Sequence, residues 1–259
     1  MKSNKNIINI SAFTALLLIV LFSSITSCKK TNSTPATGTF YFHIHTDIDT
    51  NEVDDVTKLY ADGTGRHFGL SVAQFYISGI VLQNANGSTY TIPDAYVLKN
   101  IDSEEYIIGT APTGTYASVT FKVGVDAAAN ATNPSSHTNA LANTGMWYGS
   151  TAQGYMFLKV QGFADTTTGQ TGTNLVHFSY EIGAANNLKT VTMPTRSGAL
   201  APYVLTKDGT QYIHLICNYS KLLSGVNFKT QDSTDTYTIN PSLSTTIANN
   251  IPNMFVYEE

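Results

Sequence analysis

Sulfur and charge are both scarce in this chain. Its 259 residues include two cysteines and one tryptophan, and only 12% of them are charged. Two cysteines cannot build a multi-bridge scaffold, and Cys28 falls in a leader junction, which leaves Cys217 without a partner. Cys217 ends the apolar run from Tyr212 and reads as a small buried residue, with Cu(I) ligation as the alternative. Fourteen basic residues face eighteen acidic ones, a net charge of −4. Without Lys2 and Lys5 of the leader, 12 basic residues face 18 acidic ones, a net charge of −6. There is no basic patch, so nucleic acid is not expected as a partner. Enzyme signatures are also missing: no G-x-S-x-G, no H-E-x-x-H, no Gly-rich phosphate loop ahead of a helix. The adjacent carboxylates Asp54-Asp55 and Glu104-Glu105 sit in polar stretches and read as solvated loop residues. An enzyme is therefore not expected.

What remains is rich in hydroxyls, amides and rings. Aromatics make up 11% of the chain, with 15 tyrosines, a composition suited to secreted β proteins. Lys2 and Lys5 supply a positive start, and Ala12 to Phe22 an apolar run of 11 residues. That is too short to span a bilayer as a permanent helix and fits a signal peptide over residues 1–27. The run ends in Ile25-Thr26-Ser27-Cys28, which resembles a bacterial lipobox. Such a cysteine carries diacylglycerol after cleavage, and two or three acyl chains give lasting anchorage. Residues 28–38 form a Ser/Thr/Pro tether. With Lys29 rather than Asp after the cysteine, the outer membrane of a bacterial cell envelope is the expected destination.

From Thr39 the chain reads as strands. Phe40 to Thr46 alternates strictly, with Phe40, Phe42 and Ile44 on one face and Tyr41, His43 and His45 on the other. Further strands are expected over Val72 to Leu82, Thr89 to Ile92, Tyr96 to Ile101, Tyr106 to Ile108, Tyr116 to Val123 and Tyr155 to Val160. Leu175 to Ile182, Leu188 to Met193, Tyr203 to Leu205 and Gln211 to Asn218 complete the series. Asn86-Gly87 is a hairpin signal, and Tyr219 to Leu223 suits a short helical turn. No amphipathic helix of useful length is expected. The pattern predicts an all-β antiparallel sandwich or barrel-like domain with long loops over residues 39–225. A C-terminal extension, residues 226–259, follows, with an apolar patch at Met254 to Tyr257 that suits docking as a last strand.

The sharpest chemical feature is the His43-x-His45 pair. On a strand, side chains at i and i+2 share a face about 7 Å apart, so two imidazoles can converge on one ion. Neutral imidazole suits copper or zinc. An exposed polar sheet face carrying unligated histidines is the plain alternative. His177 and Glu181 share one face of the Leu175 to Ile182 strand. His214 is a further strand histidine, while His67 and His137 fall in loops.

The order of segments, with Phe75 to Leu98, Pro112 to Asp126, Gly145 to Gly162 (GMWYGSTAQGYMFLKVQG) and His177 to Gly183 (HFSYEIG), resembles the MbnP-like copper-binding domain. That family takes its name from a periplasmic protein of methanobactin loci and is common in secreted lipoproteins. Its members are β-rich and bind copper through histidines, and in some a tryptophan of the Met-aromatic-Trp segment is oxidised to kynurenine. The resemblance implies copper as cofactor, with zinc open, at His43, His45, His177 and Glu181, and Trp147 as an oxidisable aromatic near the site. This chain has one tryptophan where the family often shows two, and Glu181 stands where members place a histidine. The partners implied are the membrane, through Cys28, and a periplasmic redox or copper-handling protein. Two functions thus stand side by side. One is an anchored protein that stores, scavenges or delivers copper; the other is a surface lipoprotein that binds glycan or protein without metal.

Overall fold

The computed structural model describes residues 35–193 and 202–258; the leader and Cys28 lie outside the described residues. In chain order the strands are β1 (Thr37–Ile48), β2 (Asn51–Glu52), β3 (Tyr60–Ala61), β4 (His67–Asn84) and β5 (Thr89–Thr91). Then come β6 (Tyr96–Lys99), β7 (Glu105–Pro112), β8 (Gly114–Val123), β9 (Met156–Asp165) and β10 (Leu175–Gly183). The last are β11 (Lys189–Met193), β12 (Tyr203–Leu205), β13 (Thr210–Asn218), β14 (Ser233–Asp235) and β15 (Phe255–Tyr257). Three α-helices accompany them among the described residues, α1 (Ala127–Asn130), α2 (Tyr219–Leu222) and α3 (Pro241–Met254).

The strands make two sheets. In the five-stranded sheet the order is β15-β13-β1-β2, with β7 also paired to β1. In the ten-stranded sheet the order is β11-β8-β4-β9-β10-β14, and β3, β5 and β6 pair with β4 while β12 pairs with β8. The expected all-β sandwich architecture is present. It is not purely antiparallel, however: β1 runs parallel to β13, and β10 parallel to β14. Parallel partners need long connections, and here most of the chain separates β1 from β13.

The alternation in β1 sets which residues close the core. Phe40, Phe42, Ile44 and Ile48 are fully buried, while Tyr41, His43 and His45 remain half-buried on the outer face. Phe40 packs edge-on to Tyr116 at 5.3 Å and Phe42 packs against Phe121 at 5.4 Å, joining the two sheets. β4 is longer than the expected Val72 to Leu82: it begins at His67, which is a strand residue rather than a loop residue. β9 likewise runs past Gly162 to Asp165. The reason is a close approach of backbones. A Cβ at Gly162 would stand 2.0 Å from the Gly69 carbonyl oxygen, so glycine lets β4 and β9 stay paired there. The Asn86-Gly87 turn closes the β4–β5 hairpin with Gly87 at φ 87°.

Correction is needed at the C-terminus, where α3 is an amphipathic helix of 14 residues. Leu243, Ile247, Ile251 and Met254 are buried at helical spacing, and Asn240 caps the start through its side chain. Sparse apolar residues among Thr, Asn and Ser conceal this period in the sequence. Beyond α3, Phe255 packs against Phe121 at 5.1 Å and Phe75 at 5.8 Å, and β15 pairs antiparallel with β13. Val226, Phe228, Leu243 and Phe255 belong to the same core as Phe40 and Phe42.

Candidate metal centre

β1 carries the centre because its outer face is flanked on both edges. On one side β13 sets His43 beside His214 and Tyr41 beside Tyr212. On the other, β7 sets Glu105 opposite His43, and β2 sets Glu52 opposite Asp47. The turn ahead of β7 brings Glu104, whose carbonyl accepts from the Ile44 amide at 2.8 Å. Beyond β15, Glu258 donates its amide to the His214 carbonyl. Four segments, β13, β2, β7 with its preceding turn, and the chain after β15, thus converge on two histidines of β1.

The distances define a donor set. His43 Nε2 and His45 Nε2 are 2.9 Å apart, and His45 Nε2 is 3.4 Å from Glu258 Oε1. Donors that share an ion at about 2.0–2.2 Å stand roughly 3–4 Å from one another, so these three atoms fit one cation. His45 Nδ1 lies 2.9 Å from Glu52 Oε1, which fixes the ring with Nε2 turned towards His43. His214 Nδ1 lies 3.1 Å from the other oxygen of Glu258, and its ring sits 4.9 Å from that of His43. The His43 and His45 side chains are 20% and 18% exposed, so part of their hydration is already removed.

Charge around the pair is one-sided. A cavity of about 570 Å³ opens beside His43 and is lined by Glu52, Asp54, Asp102, Glu104 and Glu105. A concave site lined by one sign of charge concentrates counter-ions. Burial alone would lower the His45 pKa, but the Glu52 hydrogen bond and the charges of Glu258 and Glu104 outweigh it, so the value is raised.

Other residues singled out in the sequence lie elsewhere. His177 and Glu181 sit on β10, in the ten-stranded sheet, whereas the strands flanking β1 are β13, β7 and β2. Glu181 Oε1 pairs with Lys159 Nζ at 3.5 Å, and the exposed His177 faces Phe163. The structure does not bring either of them into a donor group with His43 and His45. Trp147 belongs to a second, smaller core around Tyr76, Leu141, Met146 and Tyr155. Its ring packs edge-on to Tyr155 at 4.8 Å, and His137 approaches the same Tyr155 at 6.5 Å. The loop that carries them is built from asparagine caps: Asn133, Asn139 and Asn143 each accept from an amide two residues ahead. Cys217 is fully buried, its thiol pushed up to about 12 chiefly by burial, and faces the core rather than His214's side.

The residues that the sequence did not reveal are Glu52, Glu104 and Glu258. Glu104 is assigned to a solvated loop by sequence reasoning, and it is half-exposed. Only the pairing of β7 with β1 brings it to the histidines, and no local pattern encodes that pairing.

The MbnP family profile matches residues 37–241 of this chain. Among solved structures, MbnP from Methylosinus trichosporium is similar in fold, with a TM-score of 0.56 at 13% identity, covering 78% of this chain and 82% of that one. No curated protein matches in sequence.

Proposed function

Because the chain belongs to the MbnP family, we propose that it binds copper on the outer face of β1 and stores, scavenges or delivers it at the cell envelope. The observation that carries this reading is the 2.9 Å approach of the His43 and His45 Nε2 atoms with Glu258 beside them. Imidazole affinity rises towards copper along the divalent series, and zinc is the second candidate for the same donors. When bound, copper would supply the tight, exchangeable cargo. The chain itself supplies two oriented nitrogens, a carboxylate and an acidic approach. The Tyr41 and Tyr212 rings, stacked at 5.2 Å on the same face, favour one further reading, a platform for a sugar or an aromatic side chain without metal. Protein purified without added metal and titrated with Cu(I), Cu(II) and Zn(II) separates the two. Tight stoichiometric copper supports the first, and no retention of any of the three ions would end it.

Protons compete with copper for His45. Because the pKa of His45 is raised above 6.5, apparent copper affinity should start to fall while the pH is still above 6.5. Each proton displaced then costs about tenfold per pH unit. The same sign gives the metal-free protein a contribution from charged His45 that is present at low pH and fades as pH rises through the raised value. Competition titrations at several pH values between 8 and 5.5 check this. An affinity constant down to pH 6 would contradict it.

The membrane anchor is part of the same proposal. Cys28→Ser should leave unprocessed precursor or soluble protein, since the acyl chains would sit on that sulfur. Cell fractionation reads the result, and mature mutant protein still in the membrane fraction would contradict the lipid anchor.

A further inference from the structure

The two ring nitrogens of His45 point into different donor sets. On the Nε2 side stand His43 Nε2 and Glu258 Oε1, as described. On the Nδ1 side stand Glu52 Oε1 at 2.9 Å and Glu104 Oε1 at 3.9 Å. Among the described residues these are the two groups whose histidine and carboxylate donors all lie within 4.8 Å of one another, and they share only His45. Glu104 also reaches both sides, because its second oxygen lies 3.7 Å from His43 Nε2.

We propose that the centre is dinuclear, with His45 bridging a copper ion at Nε2 and a second divalent cation at Nδ1, and that Glu52 and Glu104 hold the second. This rests on the copper reading of the first position. Chemistry separates the two positions. The first offers two imidazole nitrogens and one carboxylate, which suits copper. The second offers one nitrogen and two carboxylate oxygens, which suits a harder cation such as zinc(II). Each cation neutralises part of the acidic cluster formed by Glu52, Glu104, Glu105 and Glu258, which otherwise holds like charges together around two rings. Binding at Nδ1 replaces the proton that joins His45 to Glu52, and that proton leaves to solvent, so one proton is released for the second cation. A single-ion centre with Glu52 as a mere orienting partner explains the 2.9 Å contact equally well. It gives no role to Glu104 Oε1, which stands 3.9 Å from the same nitrogen.

The test uses the whole mature chain, loaded with one equivalent of Cu(II) and dialysed against Zn(II) at pH 7.5. Metal analysis of the retained ions and the Cu(II) electron paramagnetic resonance spectrum are the readouts. The expected result is one copper and one zinc per chain, with the copper spectrum shifted on zinc addition through the shared ring. The variant Glu52→Gln/Glu104→Gln should lose the zinc and still take up one copper per chain, held more weakly because Glu52 also orients the His45 ring. The Glu52→Gln change retains an oxygen that can accept from His45 Nδ1, and both glutamates are about half-exposed, so the fold is not at risk. Wild-type protein that retains copper alone, or exchanges it for zinc, overturns the dinuclear centre and leaves the copper reading standing. A variant that retains zinc as wild type does overturns the assignment to Glu52 and Glu104. Protein that retains no copper at all removes the first reading and this one with it.

Discussion

Alanine at both His43 and His45 is expected to lower copper affinity by on the order of 10³-fold or more. Loss of an outer-shell partner alone typically costs about 10–100-fold in metal affinity, and here two donors to the ion itself are removed. Their nitrogens are 2.9 Å apart, so neither single variant retains a complete position. Each single change should therefore weaken binding without halving its stoichiometry. The fold should survive, because both rings lie on the outer face of β1, opposite Phe42 and Ile44. His67→Ala is the control. That residue starts β4 in the other sheet, pairs across to Asp165, and should leave copper binding unchanged. Copper that titrates the double variant as it does wild type would refute the assignment.

The largest loss of stability is expected from Arg66→Ala. The Arg66 guanidinium pairs with Asp62, whose side chain is fully buried, and its Nη1 donates to the Leu223 and Val226 carbonyls, both at 2.9 Å. It also lies over the Phe228 ring at 5.2 Å. Burial would raise the Asp62 pKa, but hydrogen bonds from Thr64 and Arg66 outweigh it and hold the carboxyl below the usual range. Removing the guanidinium leaves the buried Asp62 carboxylate without its ion-pair partner and takes a donor from the Leu223 and Val226 carbonyls, of which Leu223 keeps the Val226 amide at 3.2 Å. Breaking a buried pair in this way costs about 3–5 kcal/mol, which for a domain of this size lowers Tm by on the order of 10 °C. Arg66→Lys should recover only part of this, since one ammonium cannot replace a planar fork. The depressed Asp62 value adds stability that is present above the unfolded carboxylate pKa and is lost as pH falls through the folded one. Thermal unfolding at pH 7 reads the main effect, and an unchanged midpoint would contradict it.

Local signals in this sequence translate into structure where a strand declares both of its faces. The alternation of Phe40, Phe42 and Ile44 with His43 and His45 is the alternation seen in β1, and the pairing of donor nitrogens follows from it. Segment starts from Tyr96 to Asn218 agree within two residues, because turn residues and β-branched runs punctuate them, whereas β7 and β9 run four and five residues beyond their expected ends. What could not be read is which strand lies beside which. His177 and Glu181 do share one face of β10, but that face belongs to the other sheet. The strand that lies along β1 is β13, so His214 stands next to His43 across most of the chain. Glu258 reaches the centre only because α3 and β15 fold back onto the core, and α3 itself hides its period among polar residues.

The most direct measurement is a crystal structure of the copper-loaded protein with anomalous data collected at the copper edge. The strongest peak should stand within bonding distance of His43 Nε2 and His45 Nε2, about 2 Å from each, with Glu258 alongside. A strong copper peak beside Trp147, His137 or Glu181, with His43 and His45 left free of metal, would contradict it.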